Sequence, residues 1–503
     1  MPKKSQATIP GAVSKEHIFC IARLRRHIPL LSMAALLLSA APVTAESIVE
    51  ATTLALQTNP EVMAALQNQR AVLNQIDQAL AGYRPTVDVA TGYGREWSDN
   101  TTTRGLGLHG LTLRNGQASV TLSQLIYDGG ITSAGVAKAR AAHASATYGY
   151  RRVAETLLQS ATDVYLEALK QQELLALLQA NVQLHQDILE KIQAKFKSGA
   201  GNEADVQQTE TRLALASANH VASQGAMRTT EARYLRIVGL PPRDLSRPEV
   251  QFDKLPKTWD EAEAMTLQSH PGILAAQRDL EASLLDLDAI KGSFHPNVKL
   301  DILYGNNANQ GGSVGHAENV SAMLKMNYNL LRGGADHARK RETLQRNEQM
   351  QQVLEQTRRM VRETLKGTWE GLETSRNRLG YLEKHVAISS KVSAAYADQF
   401  KIGKRTLLDV LNSETELFTA KSTLATEQFN YLTNAFRLMA GMGKLQDFLG
   451  IQNPVPDLNL EPGDTPEESG PLQAHTLVPP DLDGLETWEK FPGSAERHTS
   501  HPR

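Results

Sequence analysis

The residues that could do chemistry in this 503-residue chain are few and poorly matched to catalysis. Gly105, Gly107 and Gly110 spell GxGxxG, the pattern that cradles a dinucleotide pyrophosphate. No strand-turn-helix unit surrounds them, so they read as a flexible loop. His109 and His316 have no second histidine or cysteine at metal-ligand spacing, and no nucleophile and base pair is recognisable. The only cysteine is Cys20, which falls in an N-terminal segment that reads as an export signal, so the mature protein is expected to have no thiol chemistry. The 53 basic and 55 acidic residues are mixed along the chain for a net charge of -2, which offers no basic stripe to nucleic acid. The expectation is a protein that is not an enzyme, holds no cofactor and binds no nucleic acid.

The informative features are the elements themselves. Residues 1–45 carry a basic leader (Lys3, Lys4, Lys15, Arg23, Arg25, Arg26), an apolar run from Ile28 to Ala41, and small residues ending at Ala45. That run is short for a membrane-crossing helix, so it reads as a signal peptide cleaved after Ala45. Beyond Ala45 the chain is duplicated. Asn59-Pro60 matches His270-Pro271, Tyr83-Arg84-Pro85 matches Phe294-His295-Pro296, and Gly94 matches Gly305 at one constant offset. At a slightly shorter offset Gly129-Gly130 matches Gly333-Gly334, and Phe196, Gly199, Asp205, Val206 and Glu210 match Phe400, Gly403, Asp409, Val410 and Glu414. The repeat sets the organisation: 46–240 as repeat 1, 241–257 as a proline-containing linker, 258–443 as repeat 2, and 444–503 as a Pro-rich, largely disordered tail.

Within each repeat, segments alternate with period two, as in Val87, Val89 and Tyr93 against Asp88, Ala90 and Gly92, or Val320, Ala322, Leu324, Met326 and Tyr328 against Ser321, Lys325 and Asn327. Apolar-out, polar-in segments of about 10 residues suit a transmembrane barrel. A half-buried sheet in a soluble domain gives the same alternation. The period then becomes helical, and Ala134 to Lys197 contains two glycines, Gly135 and Gly149, and no proline. Unbroken, that stretch makes a rod of roughly 95 Å whose partner is expected to have similar length. The turn signals Gly199 and Gly201, and Gly403 and Lys404, fold each rod back as a hairpin. Pro85, Gly129, Gly130, Pro296, Gly333 and Gly334 mark the strand and helix junctions. Four strands cannot close a barrel in lipid, so several chains must share one.

With those features together, the chain resembles the TolC family of outer-membrane export ducts. The most specific match is IGKRTLLDVLNSETEL (402–417), which is similar to the family's helix-turn-helix tip at the periplasmic entrance. The resemblance implies an α+β membrane protein. Three chains would share a 12-stranded transmembrane β-barrel, four strands each, continuous with a long periplasmic α-helical barrel. It also implies a bacterial outer-membrane location with a large periplasmic portion. Carried over, Asp409 lines the periplasmic constriction, Arg405 and Phe400 hold the entrance shut, and Asn412 replaces a second acidic residue. Read from the residues alone, Asp409 is also an ordinary first-turn helix acid, a role that Asp205 in the other half would share. Gly199, Gly201, Gly403 and Lys404 fall where an adaptor would touch the hairpin tips.

The junctions LIYDGG (125–130) and NLLRGGAD (329–336) look like the type I secretion branch. The implied partners are a homotrimer, a periplasmic adaptor protein, an inner-membrane ABC exporter, and outer-membrane lipid. A multidrug efflux duct fed by a proton-driven pump is the second reading, and a non-channel periplasmic coiled-coil scaffold the third.

Overall fold

The computed structural model describes residues 46–451; the expected signal at 1–45 and the tail from 452 onward lie outside the described residues. The first half runs through α1 (Ile48–Thr58), α2 (Pro60–Leu80), β1 (Thr86–Ser98), α3 (Thr101–Gly105), β2 (Leu111–Tyr127), α4 (Ile131–Lys197) and α5 (Glu203–Val238). The second runs through α6 (Trp259–Ser269), α7 (Pro271–Gly292), β3 (Asn297–Ala308), β4 (His316–Asn327), α8 (Ala335–Lys401), α9 (Leu407–Gly441) and α10 (Leu445–Phe448). The duplication is carried element by element: α1 and α6 both have 11 residues, and α4 and α8 both have 67.

Local chemistry explains the boundaries. Asn59 and His270 each cap a helix whose first residue is proline, a position where the missing N–H is no loss. Burial holds the His270 ring down at about 4, so it stays neutral, and Nδ1 accepts from the Gly272 N–H at 3.1 Å. Thr406 and Asp409 form a reciprocal capping box at the start of α9.

The strands form one antiparallel meander, β1-β2-β3-β4, in which Val89, Val120, Tyr304 and Val320 lie in a single cross-strand row. Period two therefore places Val87, Val89, Tyr93 and Trp97 on one face of β1 and Asp88, Ala90, Gly92 and Glu96 on the other. Among the described residues β1 and β4 each have one edge without a strand partner. β4 ends at Asn327, one residue short of Tyr328, the last position of the alternation read in the sequence.

The long helices are not matched by single partners of their own length. α5 has 36 residues and α9 has 35, so each reaches only partway along its 67-residue neighbour. The remaining length of α4 is covered by α2 and α7, and that of α8 by α7. A rod of ~100 Å needs its apolar stripe covered throughout, and successive shorter helices do this as well as one long one. The main core sits where α1, α4, α5, α9 and α10 meet, with Leu158, Tyr165, Tyr234, Leu438 and Leu445 fully buried.

The structure corrects the domain boundary expected at 443. Residues 444–451 are not tail but structure: Leu445 is buried, and α10 docks on α4 because the Glu155 carboxylate accepts from the backbone N–H of Leu445 (3.0 Å) and Gln446 (3.2 Å). The apolar docking residues were hidden in the sequence by the prolines that come after them. Burial pushes the Glu155 carboxyl up to about 7 despite both donors, with the Asp447 charge adding to the rise. The folded chain thus binds a proton that the unfolded chain releases near 4.5, so stability declines as pH rises from about 4.5 to about 7. Glu155→Gln keeps one of the two acceptor oxygens and cannot ionise. Relative to the parent it is expected to be more stable at about pH 8 than at about pH 4.5, by roughly 3 kcal/mol at most. Thermal unfolding across that range checks this, and a gain independent of pH would contradict it.

Candidate functional site

The two hairpin turns, one from each half, close in the same way. Gly199 N–H donates to the Phe196 carbonyl (2.9 Å) and Ala200 N–H to that of Lys195 (3.1 Å); Gly403 N–H donates to the Phe400 carbonyl (3.0 Å) and Lys404 N–H to that of Gln399 (2.9 Å). Gly199 (φ 79°) and Gly403 (φ 74°) occupy the left-handed region that these closures demand. Gly201 is needed for a different reason: a Cβ there would lie 2.7 Å from the Phe196 nitrogen.

The turns are neighbours. Ile188, Ile192, Val206, Phe400, Leu407 and Leu411 form one apolar cluster drawn from α4, α5, α8 and α9. Phe400 is part of this cluster, with the Lys195 ammonium 5.2 Å from its ring centroid. It pins the first hairpin to the second. A cavity of about 370 Å³ opens beside it, lined by Lys195, Gly199, Gly201 and Asp205 among others.

The Arg405 guanidinium carbon sits over Tyr396, 4.1 Å from the ring centroid, and its Nε donates to the Gln399 side-chain oxygen at 3.1 Å. Its Nη1 is 3.9 Å from Asp409. The Asp409 carboxylate accepts from the Thr406 N–H (3.1 Å) and hydroxyl (2.9 Å), and these bonds, with Arg405 beside them, hold its carboxyl below the usual range. The helix-capping role open to Asp409 in the sequence is therefore real, and it leaves the residue half-exposed and ionised. Asn412 accepts from Arg212 Nη2 at 3.3 Å, bridging α9 to α5.

The structure thus brings Phe400, Arg405, Asp409 and Asn412 together at one end of the chain with Gly199, Gly201, Gly403 and Lys404. Tyr396, Gln399, Lys195 and Arg212, which hold them, were missed. Tyr396 and Gln399 occupy the last two turns of α8, and helical spacing ahead of Gly403 was the only signal that could have found them.

The strand and helix junctions lie elsewhere. Pro85 and Pro296 stand just before β1 and β3, where a missing N–H removes no ladder bond. Gly129, Gly130, Gly333 and Gly334 all have positive φ. Asp128 secures the first junction, accepting from the N–H of Gly130 (3.0 Å) and Thr132 (2.7 Å). Among the described residues no helix is long and apolar enough to cross a membrane, and no group of side chains could hold a metal ion.

Comparison with known proteins agrees with this architecture. Residues 51–240 and 264–444 each match the family model described as outer membrane efflux protein, so the family pattern falls once on each half. The chain is 25% identical over 399 residues to the outer membrane efflux protein BepC of Brucella suis, covering 77% of this chain and 84% of that one. It is 23% identical over 412 residues to the alkaline protease secretion protein AprF of Pseudomonas aeruginosa, covering 78% and 84%. Among solved structures, the outer membrane protein VceC of Vibrio cholerae superposes with a TM-score of 0.68 at 16% identity, covering 79% of this chain and 96% of that one. With the doubled match, the four-stranded sheet and the paired long hairpins all in place, this chain belongs to the outer membrane efflux protein family and is an outer-membrane protein with a large periplasmic helical portion.

Proposed function

We propose that the chain is one of three identical subunits of a passive exit duct. It would carry cargo received from an inner-membrane ABC exporter, through a periplasmic adaptor, across the outer membrane in type I protein secretion. The observation that carries the duct reading is the sheet. It is apolar on one face and polar on the other, with β1 and β4 each left with an open edge. In lipid such edges must pair, and the pairing available is β1 of one copy with β4 of the next. Three copies bring twelve strands, a number within the range of closed barrels.

In this reading Asp409, Arg405, Phe400 and Asn412 form the periplasmic constriction, and Gly199, Gly201, Gly403 and Lys404 the adaptor contact. A relative named for alkaline protease secretion and the junction sequences at 125–130 and 329–336 support type I secretion. Drug efflux is the second reading, favoured by the relative named as an efflux protein.

Purified protein in planar bilayers tests the duct, which requires stable conductance steps from a species that cross-links as a trimer. A folded, detergent-stable protein that never conducts would overturn it. Deleting the gene then separates the two readings: loss of a secreted protein with unchanged drug tolerance supports secretion, and the reverse supports efflux.

A further inference from the structure

At the loop end of the sheet, Arg95 of β1 and Arg114 of β2 lie directly opposite each other in the antiparallel register. Period two puts Arg95 on the face of Val87, Val89, Tyr93 and Trp97, which is the apolar face. Arg114 shares that face with Val120 and Leu122, the row partners of Val89 and Val87. Two like charges directly opposed across a strand pair destabilise it unless something neutralises them. Nothing in the chain does: among the described residues neither guanidinium has an ion-pair or hydrogen-bond partner.

The carboxylates close by are committed elsewhere. Glu96 points to the opposite face and accepts from Ser98, Asn115 and the Gly311 N–H, while Asp99 pairs with Arg104. The pair is also held in place. The Asn309 side chain donates to the Arg114 carbonyl at 3.0 Å, and Trp97 packs on Gly110, where a Cβ would come within 2.8 Å of the indole Nε1.

Arg95 is eight positions along β1 from Val87, or ~26 Å along the strand and ~20 Å of height at a barrel strand's tilt, near the edge of a ~25 Å apolar band. Tyr93 and Trp97, exposed by 80% and 67%, flank it as interface aromatics do. The helical hairpins extend from the other end of the sheet, so this end faces outward. The geometry points to a binding site for the phosphorylated headgroup of an outer-leaflet lipid, which Arg95 and Arg114 clasp with Tyr93 and Trp97 against its sugar and acyl shoulder. Guanidinium forks suit a phosphate monoester better than ammonium groups would, because each can make two parallel bonds to it. The site rests on the reading that this sheet spans the outer membrane with its apolar face to lipid.

Native mass spectrometry of the detergent-extracted oligomer tests it, with three probes: bisphosphorylated lipid A, the same lipid dephosphorylated, and inorganic phosphate. The parent protein is expected to retain bisphosphorylated lipid A and not the dephosphorylated form. Arg95→Gln with Arg114→Gln is expected to weaken retention about tenfold, while millimolar inorganic phosphate leaves it in place. Equal retention by the double variant, equal binding of dephosphorylated lipid A, or displacement by inorganic phosphate alone would each overturn the lipid site. Either single variant relieves the like-charge contact, so it serves should the double variant fail to assemble. Bilayer conductance of the same samples separates the two readings: variants that conduct normally but bind lipid as the parent does sink the site and leave the duct standing.

Discussion

Gly129→Ala is expected to abolish assembly of the folded channel, while Gly333→Ala at the equivalent position of the second half leaves it intact. Both glycines sit at a strand-to-helix junction with positive φ, 73° and 61°, so both substitutions incur the left-handed penalty of ~1–2 kcal/mol. Their surroundings differ. A Cβ at Gly129 would run into the Gly292 carbonyl oxygen and lie 2.6 Å from the His295 Cβ, whereas at Gly333 nothing lies within 4 Å.

The contact is reciprocal, since a Cβ at Gly292 would meet the Gly129 carbonyl oxygen at 2.8 Å. Two backbones therefore touch where β2 enters α4 and α7 leaves for β3, and backbone cannot step aside as a flexible side chain can. Overpacking adds a further ~1–3 kcal/mol or more to the strain, a large share of the ~5–15 kcal/mol that holds a typical domain folded. Oligomer yield on unheated gels, with thermal unfolding of whatever assembles, measures the difference. Equal yields from Gly129→Ala and Gly333→Ala would show that the close approach is not what makes Gly129 necessary.

Arg405→Glu is expected to raise basal conductance several-fold in planar bilayers. Arg405 is the tie of the second hairpin turn, stacked on Tyr396, bonded to Gln399 and facing Asp409 at 3.9 Å. Charge reversal removes the stacking and the bond, and sets a second carboxylate against Asp409, turning attraction into repulsion at a turn that our proposal places at the entrance.

The partner experiment needs care because Asp409 caps α9. Asp409→Ala removes both the charge and the cap, so a change in selectivity would have two explanations. Asp409→Asn keeps an acceptor for the Thr406 N–H and removes only the charge. It is expected to lower cation preference with α9 intact, because a ring of like charge favours counter-ions. Unchanged conductance in Arg405→Glu together with unchanged selectivity in Asp409→Asn would place the constriction elsewhere.

Much of the architecture was legible in the order of residues because it is periodic and repeated. Alternation from Val87 to Tyr93 announces a strand, the glycine-poor stretch from Ala134 announces a rod, and matched Asn59-Pro60 and His270-Pro271 announce a duplication. These are local signals: hydrophobic period, capping and turn chemistry act over a few residues. The hairpin turns at Gly199 and Gly403 were readable for the same reason.

The features that the tertiary structure decided depend on residues far apart in the chain. That α4 is covered by α5, α2 and α7 in succession reflects where rods of unequal length meet. That residues 444–451 belong to the body is due to Glu155, which receives the N–H groups of Leu445 and Gln446. Asp409 suits both lining a pore and capping a helix in the sequence, and only the placement of Thr406 and Arg405 around its carboxylate reveals the cap. Gly129 and Gly333 are one motif in sequence, yet only Gly129 meets a second backbone. Local preference comes from neighbours along the chain, which the sequence states outright. Close approach and charge pairing come from neighbours in space, which only the folded chain brings together.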